Sequence, residues 1–123
     1  MGDKKVLIID DERLIRLTTR ILLEKRGFSV VEAMNGVSGI ECAIKKEPVL
    51  ILLDIMMPGM NGWEVFEELQ KLDATKKIPV VIFTAGDFVN SEKIAKQKGV
   101  KWIIRKPFNI DSLLELFSEI ERS

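Results

Sequence analysis

The stretch that decides the fold is VLILLDIMMPGMNGWEV, residues 49–65. It begins with a run of apolar residues, 49–53, which ends on a single carboxylate, Asp54. A continuous apolar run, rather than an alternating one, is typical of a parallel strand that is buried on both faces. Pro58-Gly59 and Asn61-Gly62 then predict a sharp loop before a helix. The stretch therefore indicates a strand–loop–helix unit of an α/β protein.

Four more short apolar runs repeat this unit along the chain: 6–9, 28–31, 80–83 and 102–104. Ser29 makes the run at 28–31 less apolar, which suits a strand near the edge of a sheet. The alternation predicts a doubly wound, five-stranded parallel sheet of the flavodoxin-like type, with five helices on both faces. We expect a single domain over residues 1–123, since that length leaves little room for a second one.

Apolar residues at helical spacing mark the segments between the runs. The positions expected to face the core are Val37, Ile40 and Ile44 in the second helix, Val65, Phe66, Leu69 and Leu72 in the third, and Ile110, Leu113, Leu114, Phe117 and Ile120 in the fifth. Asn109 or Asp111 can cap the fifth helix. The fourth helix, near residues 91–98, has only Ile94 and Ala95 and is expected to be the most loosely held.

Composition excludes several classes of function. Lysine plus arginine equals aspartate plus glutamate, 19 against 19, so the basic field that non-specific nucleic-acid binding needs is missing and direct DNA contact is not expected. No apolar run approaches the roughly 20 residues of a membrane span, and the acidic start is unlike a signal peptide, which favours a cytoplasmic protein. With no histidine, Ser-His-Asp and Cys-His catalysis are excluded. The single cysteine, Cys42, is expected to be a small buried side chain.

Polar residues follow the predicted strands where each one ends. They are Asp10-Asp11-Glu12, Asp54, Thr84-Ala85 and Arg105-Lys106-Pro107. Each alone is more often a helix cap, a turn or a solvated residue. Sheets of this type, however, bind ligands beyond the carboxyl ends of their strands, so these residues are expected to meet at one edge. Clustered carboxylates repel one another and need a cation, and oxygen ligands without histidine or thiolate suit Mg2+ or Mn2+.

The same residues can support phosphoryl transfer. Asp54 can act as the nucleophile and form an aspartyl phosphate, while Lys106 supplies positive charge. The Thr84 hydroxyl can donate a hydrogen bond to a phosphoryl oxygen.

Four motifs, in this order and spacing, resemble the receiver domain of two-component response regulators. They are LIIDDE at 7–12, ILLDIMMPGMNG at 51–62, FTA at 83–85 and RKPF at 105–108, and the resemblance covers essentially the whole chain. It implies that Asp54 accepts a phosphoryl group from a histidine kinase, a phosphotransfer protein or a small donor such as acetyl phosphate. It also implies a regulatory domain that promotes only its own phosphorylation and dephosphorylation, rather than an enzyme.

The resemblance assigns a role to each matching residue. Asp10, Asp11 and Asp54, with the backbone carbonyl of Met56, match the Mg2+ site. Lys106 matches the phosphate-pairing lysine, and its bond to Pro107 matches the family's cis peptide.

Two neighbouring residues match the positions that respond to phosphorylation and leave room for it. Thr84 matches the switch hydroxyl, and Ala85 matches the small residue that gives access to the acceptor. A downstream protein, or a second copy through the fourth helix, fifth strand and fifth helix, would read the change.

The chain departs from the family pattern in two places. Three positions before the lysine, where many receivers have an aromatic switch residue, it has Ile103, and the neighbouring Trp102 is expected to face the other way. The switch role of Ile103 or Trp102 is open. Met56 and Gly86, at the positions that tune phosphate lifetime, cannot position water with a carboxylate or amide, which predicts self-dephosphorylation over minutes or longer.

Two other classes compete with a receiver. A Mg2+-dependent phosphohydrolase would want a second aspartate near Asp54, where Ile55 and Met56 stand instead. A flavin carrier would want a glycine- and hydroxyl-rich phosphate loop after the first strand, where Asp10-Asp11 stands. The kinase, the pathway, the oligomeric state and the question of a stand-alone or longer regulator are left open by the sequence.

Overall fold

A computed structural model describes residues 4–122 of the chain. Residues 1–3 and 123 of the predicted domain lie outside the described residues. Strands and helices alternate in the order β1 (Lys5–Ile9), α1 (Arg13–Glu24), β2 (Ser29–Ala33), α2 (Gly36–Lys46), β3 (Leu50–Asp54), α3 (Gly62–Lys71), β4 (Val80–Thr84), α4 (Phe88–Lys98), β5 (Trp102–Arg105) and α5 (Ile110–Arg122). All five predicted apolar runs coincide with strands to within two residues at either end.

The strands form one parallel sheet in the order β2-β1-β3-β4-β5. This confirms the predicted fold, with β2 at an edge as its lower apolar content indicated. After β1 the chain adds β2 on one side of that strand. It then crosses to the other side of β1 and adds β3, β4 and β5 in turn. The order therefore reverses between β1 and β3, which is the point where such sheets bind ligands.

Helices cover both faces of the sheet, as predicted. On one face α2, α3 and α4 pack through residues such as Ala43, Phe66 and Ala95. On the other face α1 and α5 pack through residues that include Leu23 and Phe117. None of the helices within residues 4–122 combines the length and the apolar character that crossing a bilayer requires.

The predicted core face of α2 is confirmed at Ile40, which packs against the core, and is wrong at its other two positions. Val37 and Ile44 are 61% and 43% exposed, while Gly36, Gly39 and Ala43 are buried. A Cβ at Gly39 would overlap the side chain of Ile9. The glycines let α2 approach the sheet closely, and this approach turns the larger residues outward. Cys42 is only partly buried against this core, so its predicted burial holds in part.

Helices α4 and α5 differ in how they are anchored. Helix α4 begins at Phe88, three residues before the predicted 91, because the Asp87 side chain caps it by accepting from the Asn90 N–H at 3.1 Å. Its only buried residue is Ala95, in agreement with the weak stripe. Helix α5 is capped by Asn109 and buries three of its predicted positions, Leu113, Phe117 and Ile120.

Candidate functional site

Three carboxylates meet where β1 and β3 end. Asp10 follows β1 directly, Asp11 is next, and Asp54 is the last residue of β3; one oxygen from each lies within 4.8 Å of the others. Asp10 is fully buried and Asp54 is 3% exposed, whereas Asp11 faces solvent. The two strands are neighbours in the sheet, so parallel pairing brings together residues that are 43 to 44 positions apart in the chain.

Lys106 closes the cluster from the side of β5. Its Nζ lies 3.0 Å from Asp10 Oδ2 and 3.3 Å from Asp54 Oδ1, with Glu12 Oε1 at 3.9 Å. The backbone places the lysine there. The Lys106 backbone N–H donates to the Thr84 carbonyl at 2.8 Å, and this hydrogen bond continues the β4–β5 ladder by one residue. The Lys106–Pro107 peptide is cis, as the resemblance implied.

The charges at the site are poorly balanced by the protein alone. Burial, together with the neighbouring Asp10 carboxylate, raises the pKa of Asp54 from 3.8 to about 6, against the opposing effect of Lys106. Burial lowers the pKa of Lys106, but the Asp10 and Asp54 carboxylates outweigh it and leave that pKa above its ordinary value. The site therefore has an excess of negative charge that a cation would relieve.

Close backbone packing fixes the loop after Asp54. The Gly62 N–H donates to the Ile55 carbonyl at 2.9 Å, and a Cβ at Gly62 would overlap the Asp54 carbonyl oxygen. Only glycine fits there, which places the start of α3 directly behind the acidic cluster. Asn61 and Glu64 form a reciprocal capping box at that helix start. The Met56 N–H points back to Asp54 Oδ1 at 3.4 Å.

Thr84 lies beside this cluster at the end of β4. It is 1% exposed, and it comes one residue after Phe83, the ladder partner of Asp54. Its Oγ1 accepts from the Gly86 N–H at 3.3 Å, so the hydroxyl also holds the first turn of the β4–α4 loop. Ala85, the next residue, is exposed.

The two candidate switch residues of β5 face opposite sides of the sheet, as predicted. Ile103 packs against the core that contains Ala95 of α4, and Trp102 packs against the core that contains Phe117 of α5. Met56, the predicted carbonyl ligand, has a side chain that is 67% exposed; its sulfur lies near Gly86. The two positions expected to tune phosphate lifetime are thus neighbours.

The sequence alone does not predict a contact that joins β5 to α4. The Arg105 guanidinium stacks over the Phe88 ring, 4.6 Å from its centroid. Arg105 is also the ladder partner of Thr84. The contact with Phe88 is therefore made by the residue that lies directly beside Thr84 on the neighbouring strand. The arginine within RKPF was visible as a sequence signal, but its aromatic partner could not be identified until the start of α4 was known.

The donor set fits a hard divalent cation. Carboxylate oxygens supply the cluster, the chain has no histidine, and Cys42 lies on α2, away from these carboxylates' strand ends. Such ligands suit Mg2+ or Mn2+ rather than zinc.

The fold and this edge of the sheet define a class of protein. The family model of the response regulator receiver domain matches residues 6–118. The chain therefore belongs to the receiver domain family of two-component response regulators, as its motifs indicated.

Curated relatives are similar over most of the chain. The protein PilH of Pseudomonas aeruginosa is 33% identical over 116 residues, which is 94% of this chain and 96% of PilH. Sporulation initiation phosphotransferase F of Bacillus subtilis is 33% identical over 92% of this chain and 90% of the relative. The transcriptional regulatory protein YkoG of B. subtilis is 36% identical, but the chain spans only 47% of its length.

Solved structures agree with the fold. The chemotaxis protein CheY4 of Vibrio cholerae superimposes with a TM-score of 0.88 at 27% identity, covering 96% of this chain and 98% of CheY4. A CheY-like receiver domain protein of Methanospirillum hungatei gives a TM-score of 0.86 at 29% identity, covering 96% and 93%.

Proposed function

We propose that Asp54 is the phosphoryl acceptor of a two-component signalling system and that its phosphorylation changes the partner-binding face around α4, β5 and α5. The observation that carries this proposal is the position of Asp54: a buried carboxylate at the switch point of the sheet, touching Lys106 and flanked by Asp10 and Asp11. Membership of the receiver family supports it.

In the transfer step an Asp54 carboxylate oxygen attacks the phosphorus of a phosphohistidine. A new O–P bond forms, the P–N bond breaks, and its electron pair stays on the imidazole nitrogen of the donor. Lys106 Nζ, already between Asp54 and Asp10, offsets the charge that gathers on the phosphoryl oxygens. Exposed Ala85 leaves the approach free of a large side chain.

Mg2+, or Mn2+, would be held by Asp10, Asp11, Asp54 and the Met56 carbonyl, and would neutralise phosphoryl oxygens during transfer. Asp11 is the exposed member of the group and so can reach a hydrated ion, while buried Asp10 also serves Lys106.

Thr84 reads the new charge by donating its hydroxyl hydrogen to a phosphoryl oxygen. Any movement of Oγ1 toward the phosphoryl group weakens its hydrogen bond with the Gly86 N–H and so disturbs the loop that leads into α4. Ile103 lies on the α4 side and can fill space left by such a shift, while Trp102 lies on the other side. We therefore assign the switch role to Ile103, and we assign to Trp102 only a packing contact on the α5 side of the sheet.

The energies are compatible with such a switch only if the resting state is moderately favoured. Moving a population from 1:99 to 99:1 takes about 5.5 kcal/mol of differential stabilisation. One charge-assisted contact and one hydroxyl hydrogen bond supply about 1.5–3 and about 1 kcal/mol. The single buried residue of α4 agrees with a low cost of moving that helix.

The partners follow from the proposal. A histidine kinase or phosphotransfer protein would supply the phosphoryl group in the cytoplasm, and a downstream protein or a second copy of the domain would bind the α4–β5–α5 face. We propose one receiver domain over residues 1–123 that neither turns over a separate substrate nor contacts nucleic acid directly.

The test is phosphorylation by acetyl phosphate in Mg2+ buffer, followed by mass spectrometry of the intact protein. We expect the mass gain of one phosphoryl group on wild type and on the control Asp73→Asn, whose aspartate is 94% exposed in the α3–β4 connection. Asp54→Asn should show none. Phosphorylation of Asp54→Asn at the wild-type level would overturn the proposal.

The lifetime of the aspartyl phosphate is a second readout. With Met56 and Gly86 beside the site, neither side chain can orient an attacking water, so loss of the phosphoryl group should take minutes or longer. Met56→Gln should shorten the lifetime by supplying an amide. A wild-type lifetime of seconds at 25 °C would contradict this.

A further inference from the structure

Arg16 is an arginine held almost entirely inside the protein. Its side chain is 13% exposed, its Nη1 donates to the backbone carbonyl of Asp10 at 2.8 Å, and its Nε donates to Glu32 Oε1 at 3.0 Å. A planar guanidinium with two fixed acceptors holds both of them in one geometry. Arg16 therefore bridges edge strand β2 and Asp10, the residue that follows β1.

Glu32 gives this bridge a firm anchor. It lies in β2 opposite Ile8 of β1, and its carboxylate also accepts from Arg20 one turn further along α1. Arg20 in turn donates to the Val30 carbonyl at 3.3 Å. Both arginines thus bind the same carboxylate, but only Arg16 also reaches Asp10.

The carbonyl that Arg16 binds belongs to the peptide that joins Asp10 to Asp11. The Asp10 carboxylate has its own contacts, with Lys106 Nζ and the Glu12 N–H. The Asp11 side chain makes no hydrogen bond or ion pair with any residue in the described range 4–122. The peptide plane that Arg16 holds therefore fixes the position from which this side chain extends, while no such contact fixes its rotamer.

We propose that Arg16, anchored by Glu32, is a positioning residue that sets the Asp10–Asp11 carboxylates for binding Mg2+. This rests on the proposed function of the acidic cluster. Contacts that orient metal ligands without touching the metal typically change affinity by about 10–100-fold when they are lost. The bridge acts on a backbone carbonyl, so its effect should depend on the fork geometry and not on charge alone.

Calorimetric titration of the metal-free protein with Mg2+ tests this, using Arg16→Lys, Glu32→Gln and the control Arg20→Gln. Lysine keeps the charge but cannot hold two separate acceptors as a rigid fork. We expect Arg16→Lys to weaken Mg2+ binding by about tenfold or more, Glu32→Gln to weaken it in the same direction by less, and Arg20→Gln to bind like wild type.

A second readout separates positioning from a general loss of structure. At saturating Mg2+, Arg16→Lys should take a phosphoryl group from acetyl phosphate at the wild-type rate, because only the affinity for the metal has changed. Thermal melts without metal check that each variant is folded, and Glu32→Gln carries the test should Arg16→Lys not fold.

Wild-type Mg2+ affinity in both Arg16→Lys and Glu32→Gln would overturn the inference, as would an equal loss in Arg20→Gln. Asp54→Asn distinguishes this result from a failure of the proposed function. If Asp54→Asn retains wild-type Mg2+ binding and phosphorylation, the site itself is wrong and the inference falls with it. If it loses both while Arg16→Lys and Glu32→Gln bind normally, only the inference is wrong.

Discussion

The half of the sheet that contains β1 and β3 and the half that contains β5, with α4 beside it, differ in how tightly their residues are packed. All five residues of β3 are buried, and it lies between β1 and β4. Each of the four residues of β5 keeps some exposure, and α4 beside it buries only Ala95. Close-packed interiors resist small displacements, whereas thinly packed segments open at low cost. Asp10, Asp11 and Asp54 lie at the ends of β1 and β3, in the tightly packed half. Thr84 ends β4, which lies between β3 and β5, where the two halves meet.

This difference gives the proposed mechanism a direction. A charge added at Asp54 cannot be accommodated by moving β1 or β3 without disturbing the core. Adjustment should therefore occur through β4's end into α4 and β5.

The largest expected effect comes from paired truncations in the two halves. Leu53→Ala, at a fully buried position of β3, should lower the free energy of unfolding by about 2–5 kcal/mol. Ile94→Ala in α4, at a half-buried position, should lower it by about 1 kcal/mol or less. Urea denaturation followed by tryptophan fluorescence measures both. Equal losses would mean that the halves are packed alike.

An intermediate effect is expected from removing the Asp54 charge without metal. The raised pKa means that folded Asp54 holds its proton more tightly than the unfolded chain, so stability falls as pH rises from about 4 to about 6. Asp54→Asn should remove this dependence and stabilise the metal-free protein at pH 7 by about 1–3 kcal/mol.

Thermal melts in a metal chelator test this against Asp73→Asn, whose exposed carboxylate should shift stability by no more than about 0.5 kcal/mol. Added Mg2+ should narrow the gap, since it binds folded wild type. Destabilisation by Asp54→Asn in the chelator would contradict the charge imbalance at the site.

The smallest expected effect concerns the contact between Arg105 and Phe88. Arg105→Ala should cost about 0.5–1 kcal/mol, the range for an exposed cation–π pair. The loss should appear as faster amide hydrogen exchange in α4, with β1 and β3 unchanged. Lys101→Ala, which removes the longer contact over Trp102 at 5.8 Å, is the matched control and should leave α4 unaffected.

Much of the fold was predictable because its signals are local. Continuous apolar runs identify the strands, and the run that ends on Asp54 fixes the edge where the site lies. The face of α2 was not predictable from apolar spacing, because Gly36 and Gly39 carry no hydrophobic signal of their own. Their importance comes from the closeness of the sheet, which only the packed structure reveals.

The cluster of Asp10, Asp11, Asp54 and Lys106 was predictable from the rule that strand ends converge. The supporting contacts were not. Arg16 and Glu32 are 16 positions apart and look like ordinary surface charges until β1 and β2 pair. Phe88 lies outside the helix that the sequence predicted. Contacts between elements depend on register, which periodicity along one element cannot supply.

The most direct test of the central claim is hydrogen exchange, with and without beryllofluoride and Mg2+, on wild type and Thr84→Val. Valine keeps the shape of threonine and removes the hydroxyl. The account predicts that wild type changes its exchange within residues 85–105 while β1 and β3 do not change. It also predicts that Thr84→Val still binds beryllofluoride, reported by Trp63, but loses the change at 85–105. The same response in Thr84→Val, or a wild-type change spread evenly across β1 and β3, would contradict the account.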